Sequence, residues 1–368
     1  MSKDERTLWE EAYAEQLGAI SAMLERLGFA LDEEQPHMGG ERYLMQAVTT
    51  ASGKKFILLG NEARTGRRVV IKVTSDPAGK RELAHERLCR RVLADIGFAY
   101  TAFETPEEIL FTEAHGYTIA IQAFIEQERS FMERPIEDQF AIALRSFKAQ
   151  EGAHAATYGH IRLIERTFGR RTVREYLKAF DLFRRDVEGK FPDYRELSAL
   201  LAKAASFLSE HSRTVEQYED FLTHTDFIPH NFRIAEDKLY LLDHSSLRFG
   251  NKYEGWARFV NFMELYNPPL AQALVAYVRD NRTSGESLSL KLMRVYRLGE
   301  ILWYYAHTLD RSDGDLKELN LARIGWWRHV LERILNGESP NGSVRREYIE
   351  LRDRLRSPEE KKRQQGLH

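Results

Sequence analysis

The sequence predicts an α+β protein of two lobes: a small lobe with a five-stranded antiparallel sheet and one helix, then a larger, mainly helical lobe. Three observations carry this expectation. The chain has 368 residues, more than a single hydrophobic core usually serves. Residues 41–126 contain short β-type runs separated by turn residues, with one helical stretch among them. Beyond Glu126 the apolar residues recur at three and four almost throughout, which is the helical period.

In chain order, Tyr13, Leu17, Ile20, Leu24 and Leu27 share one helical face and Gly28 follows, so residues 1–40 read as a helical extension. Residues 42–49, 56–59 and 68–73 then alternate as strands around Ser52-Gly53-Lys54 and Arg64-Thr65-Gly66. A helix over residues 80–96 stops at Gly97, and residues 109–112 and 117–125 form a hairpin around His115-Gly116. The second lobe, residues 127–342, is predicted to hold helices over 136–157, 172–187, 193–208, 256–266, 269–278, 289–306 and 321–335. One β-type interruption joins residues 232–234 to 239–242 through Ala235-Glu236-Asp237-Lys238. Residues 343–368 are dense in charge and read as a solvated helix fraying into disorder.

Composition narrows the function classes. Lys plus Arg number 54 against 56 Asp plus Glu, a formal net charge of -2, so nothing in the overall balance favours nucleic acid or an anionic membrane. No stretch has the unbroken apolar length of a membrane span, and the first residues are acidic rather than signal-like. Cys89 is the single cysteine, which excludes an internal disulfide and a thiolate cluster. A cytoplasmic protein without nucleic-acid or membrane partners is the expectation; nothing here selects an oligomeric state.

The segment from Thr223 to Arg233 carries the chemistry. Asp226 is followed five positions on by Asn231, and Asp243 ends the apolar run Leu239-Tyr240-Leu241-Leu242. A carboxylate to orient and deprotonate a hydroxyl, with an amide and a second carboxylate as hard oxygen ligands for Mg2+, is what phosphoryl transfer from ATP requires. His224 fits a structural role, tying the loop backbone. The same residue types also serve as ordinary turn formers. Support comes from far away in the chain. Lys72 lies inside the apolar run Val69-Val70-Ile71-Lys72-Val73, where burial without a partner costs several kcal/mol. On the next helix Glu86 shares a face with Cys89, Leu93 and Ile96, so its carboxylate is the expected partner and Glu82, one turn earlier, the alternative. Ser52 and Gly53 sit where a phosphate-covering hairpin belongs, but Ser52-Gly53-Lys54 lacks the glycine spacing of a Walker loop.

These residues resemble the aminoglycoside phosphotransferase and choline kinase group, the small-molecule branch of the protein-kinase-like fold, over about residues 42–335. The family segment His-Gly-Asp-Leu-His-Pro-x-Asn stands here as His224-Thr225-Asp226-Phe227-Ile228-Pro229-His230-Asn231. The resemblance implies a bilobal kinase-like fold with Asp226 as base, Asn231 and Asp243 on Mg2+, and Lys72 with Glu86 as the phosphate-binding pair. It implies Ser52 and Gly53 over the phosphates, and Ala123, Phe124 and Ile125, with Glu126, as the hinge facing adenine. The implied cofactors are ATP, with GTP as the alternative, and Mg2+; the implied partner is a small-molecule hydroxyl acceptor of aminoglycoside, amino-alcohol or sugar type. Thr225 in place of glycine, His230 at a commonly small position and Ser245 after the metal aspartate depart from the pattern and keep a nucleotide-binding pseudokinase or regulatory module as the alternative. Asp-Phe-Gly and Ala-Pro-Glu are both missing, which speaks against a protein kinase. For the acceptor, Glu254, Trp256, Arg258, Glu264, Trp303, Tyr304, Asp310, Asp313 and Asp315 are available. The acids would suit a cationic amine, whereas the aromatics are expected in the core.

Overall fold

The computed structural model of the chain describes residues 3–35, 55–96, 103–152 and 158–356. The expected strand at 42–49 and the turn with Ser52 and Gly53 lie outside them. Helix α1 (Lys3–Arg26) ends at Gly28, whose φ of 86° lets the chain turn directly into strand β1 (Phe29–Leu31). Strands β2 (Phe56–Glu62), β3 (Arg68–Thr74), helix α2 (Pro77–Ile96), and strands β4 (Phe103–Glu104), β5 (Glu108–Ala114) and β6 (Tyr117–Ala123) complete the small lobe.

The five-stranded sheet runs β1-β2-β3-β6-β5, antiparallel throughout. Its edge strand β1 is three residues long and belongs to the segment read from the sequence as a helical extension. So short a strand carries no alternation from which to recognise it; backbone pairing of Leu31 with Gly60 and of Phe29 with Glu62 defines it. Gly60 is required there, since a Cβ would stand 2.3 Å from the Ala30 carbonyl oxygen. Alternation then sorts the sheet into two faces. Leu58, Val69, Ile71, Val73, Ile119 and Ile121 are buried under α1 through Ile20, Met23 and Leu24, while Lys72 and its register partners Ile57 and Ala120 take the opposite face.

The large lobe contains α3 (Ile136–Gly152), α4 (Tyr158–Phe168), α5 (Val173–Lys190), α6 (Arg195–Glu210) and α7 (Ser212–Gln217). Four short strands follow, β7 (Phe221–His224), β8 (Phe232–Ala235), β9 (Lys238–Leu241) and β10 (Leu247–Gly250). Then come α8 (Glu254–Tyr266), α9 (Pro268–Asn281), α10 (Ser284–Thr308), α11 (Gly314–Leu335) and α12 (Gly342–Leu355). The expected hairpin is β8-β9; β7 and β10 flank it and pair antiparallel, with His224 opposite Leu247. β4 joins the same region, pairing parallel with β9. The core beneath is aromatic: Phe147 stacks on Trp256 at 4.0 Å between centroids, and Phe227 on Phe232 at 5.2 Å.

The charged segment after residue 342 is not a purely solvated helix. α12 docks on α11 with Tyr348, 7% exposed, stacked on Trp326 at 5.9 Å and 10° between planes, and the Arg345 Nε donates to the Leu265 carbonyl oxygen at 2.7 Å. Its charges line the outer face, which is why the sequence pattern hides one buried anchor. We expect Tyr348→Ala to lower the unfolding free energy by about 3 kcal/mol, read from urea denaturation, where a solvated helix would lose less than about 0.5 kcal/mol.

Candidate active site

The small lobe contributes a buried ion pair. Lys72 projects from β3 and its Nζ donates to both Glu86 carboxylate oxygens, at 2.6 and 2.8 Å. Their side chains are 12% and 3% exposed. Glu86 is further held by Arg90 at 3.7 Å, itself anchored on Glu108 at 2.8 Å. Burial pushes the Glu86 carboxyl up, but Lys72 more than offsets it and leaves the pKa below its ordinary 4.5. Glu82 does not meet Lys72. It pairs instead with Lys55, just before β2. Sequence reasoning missed Lys55, although the signal was present: it is two residues before Ile57, the register partner of Lys72, so alternation puts both lysines on one face.

The large lobe contributes a loop fixed from below. His224 is buried at the end of β7, and its Nε2–H donates to the Leu242 and Asp243 carbonyl oxygens at 3.1 and 3.0 Å, since only a donor satisfies two carbonyls. Its backbone N–H donates to the Gln150 side-chain oxygen at 2.9 Å. Thr225 donates from backbone and hydroxyl to the Ser246 carbonyl, both at 2.9 Å, which ties the loop to the turn after Asp243. Asn231 donates its amide to the Asp226 backbone oxygen at 2.7 Å and to Oδ2 at 3.0 Å, which turns its own Oδ1 away from Asp226. Asp243 adopts the left-handed conformation, φ 50° and ψ 56°, and its two oxygens accept from the Ser245 and Ser246 hydroxyls, both at 2.7 Å. Ser245 and Ser246 thus hold the Asp243 carboxylate from two sides.

Asp226 has a partner the sequence did not reveal. The Arg258 Nε donates to its Oδ1 at 2.7 Å, from the second turn of α8. Burial would raise the Asp226 carboxyl; Arg258, with Arg297 behind it, reverses this and holds the pKa below its ordinary value. The carboxylate side chain keeps 37% exposure, so it remains reachable. Asp243 is likewise opposed by burial and restored, first by Lys55, to well below the usual carboxylate range. The two half-sites meet because α2, which carries Glu86, packs against the turn over residues 244–246 that follows Asp243.

Among the described residues no group of three or more His, Cys, Asp or Glu side chains encloses a metal. The Asn231 side-chain oxygen and the Asp243 carboxylate, the latter held by two serine hydroxyls, are hard oxygens of the kind that fits Mg2+ shared with phosphates and kept partly hydrated. At the hinge, the Ala123 N–H donates to the Glu107 oxygen at 2.9 Å and the Phe124 N–H to the Arg68 oxygen at 3.1 Å. Their N–H groups are thus committed to backbone bonds of the small lobe. The acids offered to a cationic acceptor are used internally. Glu254 is wholly buried, accepting from Arg171 at 3.2 Å, Tyr176 at 2.5 Å and Arg297 at 3.4 Å, Glu264 is paired with Arg294 at 2.5 Å and Asp310 with Lys190. Asp313 and Asp315 sit at the N-terminus of α11. Trp256, Trp326 and Trp327 are core, whereas Trp303 is half-buried and donates to Asp186 at 2.8 Å and Tyr304 is half-buried.

No family model matches the sequence, and no curated protein matches it significantly. Solved structures do match. The crystal structure of aminoglycoside phosphotransferase APH(4)-Ia superimposes with a TM-score of 0.59 over 89% of this chain and 100% of its own, at 16% identity. The chain shares the aminoglycoside phosphotransferase fold. The GDP complex of an aminoglycoside 2'-phosphotransferase-IIIa mutant gives a TM-score of 0.58 over 88% of this chain and 97% of that one, at 13% identity. Macrolide 2'-phosphotransferase MphH from Brachybacterium faecium gives 0.52 over 83% and 97%, also at 13%. One further APH(4)-Ia structure is a ternary complex with ADP and hygromycin B. Among the described residues no helix is long and apolar enough to cross a membrane.

Because Glu86 has a depressed pKa, the Lys72–Glu86 contribution is whole above about pH 4.5 and is lost as the pH falls below it. Glu86→Gln is expected to cost about 3 kcal/mol at pH 7, the order found when one member of a buried pair is removed. Urea unfolding at pH 7 and pH 3.5 checks it, the gap to the parent narrowing at the lower pH.

Proposed function

We propose that this protein is an ATP- and Mg2+-dependent phosphotransferase acting on a hydroxyl of a small molecule, with GTP as the alternative donor. The observation that carries the reading is the packing of α2, with its buried Lys72–Glu86 pair, against the turn after Asp243, beside the hydrogen-bonded Asp226 and Asn231 of the preceding loop. Phosphoryl transfer has a loose transition state, so the protein's work is alignment and charge stabilisation. Lys72, oriented by Glu86, grips the nucleotide phosphates. Asn231 and Asp243 are the residues suited to hold Mg2+, which when bound would neutralise phosphate oxygens.

Asp226 orients the acceptor. As the hydroxyl oxygen bonds to the γ-phosphorus, the bond from that phosphorus to the ADP oxygen breaks and the hydroxyl proton passes to the Asp226 carboxylate. Arg258 and Asn231 hold that carboxylate ionised and aimed. The neighbours' substrates point to polyhydroxylated acceptors such as aminoglycosides and macrolides, but Glu254 and Glu264 are already neutralised and give a polycation no special attraction. Sugar and amino-alcohol hydroxyls therefore stand beside aminoglycosides as acceptors, in a cytoplasmic setting.

The test is ADP release over a panel of aminoglycosides, macrolides, amino alcohols, sugars and nucleosides, followed by the same assay on Asp226→Asn with the substrate found. Turnover should drop at least about a hundredfold with nucleotide affinity retained. Undiminished turnover sinks the mechanism, and nucleotide binding without ADP release over the whole panel supports the regulatory-module reading instead.

A further inference from the structure

The site contains a second lysine that the phosphoryl-transfer reading does not use. Lys55 stands at the entry to β2, on the same sheet face as Lys72, and α2 presents a carboxylate to each: Glu82 to Lys55 and Glu86 to Lys72, one helical turn apart. The duplication is geometric. Two successive lysines of one face meet two successive turns of one helix. The Lys55 and Glu82 side chains are 18% and 13% exposed, so this is not a solvated surface pair.

Donor counting separates the two roles. An ammonium has three N–H donors. Lys72 gives two to Glu86, leaving one for a ligand. Among the described residues Lys55 gives one to Glu82, leaving two. Lys55 is also held on the helix that meets the large lobe: Glu82, its partner, lies on α2, and α2 packs against the turn over residues 244–246 that follows Asp243. An ammonium on that side of α2 borders the space where the terminal phosphate must lie if Asp243 holds Mg2+.

We infer that Lys55, held in readiness by Glu82, is a second phosphate-binding lysine that contacts the terminal phosphate of the nucleoside triphosphate and sets the preference for triphosphate over diphosphate. Lys72 then serves the inner phosphates that ATP and ADP share. The inference rests on the proposed nucleotide-dependent function and assigns within it which cation reads the third phosphate. An ion pair that merely staples β2 to α2 is the competing account, and it makes a different prediction.

The experiment measures equilibrium binding of ATP, ADP and AMP, with and without Mg2+, by titration calorimetry on the full chain and on Lys55→Gln, Lys55→Arg and Glu82→Gln, with thermal midpoints recorded for each. Lys55→Gln should weaken ATP about tenfold, the worth of one charge-assisted hydrogen bond, and ADP by less than about threefold, with AMP unchanged. Lys55→Arg should recover most of the ATP affinity. Glu82→Gln breaks the same ion pair but leaves the lysine, so it should lower the thermal midpoint without lowering the ATP-to-ADP ratio. A purely structural staple gives the opposite result: Lys55→Gln and Glu82→Gln lose similar stability and neither changes the ratio, which overturns the inference while leaving the proposed function standing. A parent protein that binds neither ATP nor GTP overturns both. If Lys55→Gln does not fold, Lys55→Met takes its place, because a staple keeps the parent ATP-to-ADP ratio in it whereas removal of a terminal-phosphate ligand lowers that ratio about tenfold.

Discussion

Burying a carboxylate on α2 obliges the fold to supply cations for it, and much of the small lobe is arranged around that obligation. Glu86 at 3% side-chain exposure would be driven neutral without a partner. Lys72 must therefore emerge from the middle strand at the height of that helical turn, which requires β3 between β2 and β6 in the observed register. Arg90 and Glu108 extend the requirement to the edge strand β5. The ion pair does not need to be a large net source of stability to have this effect; desolvation consumes much of its Coulomb energy. What it enforces is position, because a small slide of α2 would leave a buried charge unpaired.

The large lobe solves the complementary problem of holding two carboxylates, Asp226 and Asp243, ionised and fixed in direction. Asp226 and Asp243 each have both carboxylate oxygens engaged, by Arg258 and Asn231 in one case and by Ser245 and Ser246 in the other. The loop carrying Asp226 is suspended from buried backbone bonds through His224 and Gln150, and a Cβ at Gly255 would come within 2.9 Å of the His224 carbonyl. Such close packing leaves Asp226 and Asp243 little freedom to search, which is what preorganisation requires.

How much of this was legible in the sequence depends on the range of the interaction. Lys72 and Glu86 announce themselves because a charge inside an apolar period is a local anomaly. Asp226, Asn231 and Asp243 do so because loop chemistry depends on short spacing. Arg258 is invisible by either rule: it lies on an ordinary amphipathic helix, and only the packing of α8 under the loop brings it to Asp226. Glu254 and Glu264 looked like free acids for the same reason, their arginine partners being 30 to 83 positions away in the chain. β7, β10 and β1 escaped because three or four residues contain too little alternation, and α12 because one buried Tyr348 is outvoted by its charged neighbours.

The parallel pairing of β4 with β9 has a mechanical consequence. Chain that belongs by order to the small lobe is woven into the sheet beside the loop that carries Asp226, with Phe103 opposite Leu239 and its ring against Phe227 at 6.2 Å. Among the described residues the lobes also meet along α2, whose Cys89 and Val92 join the hydrophobic core of the large lobe and which packs against the turn over residues 244–246. Joined at the crossing after β6, at this seam and along α2, the lobes resist twisting or sliding of one across the other. A cut at the hinge would not yield two independent halves, because the seam would strip β9 of a backbone partner.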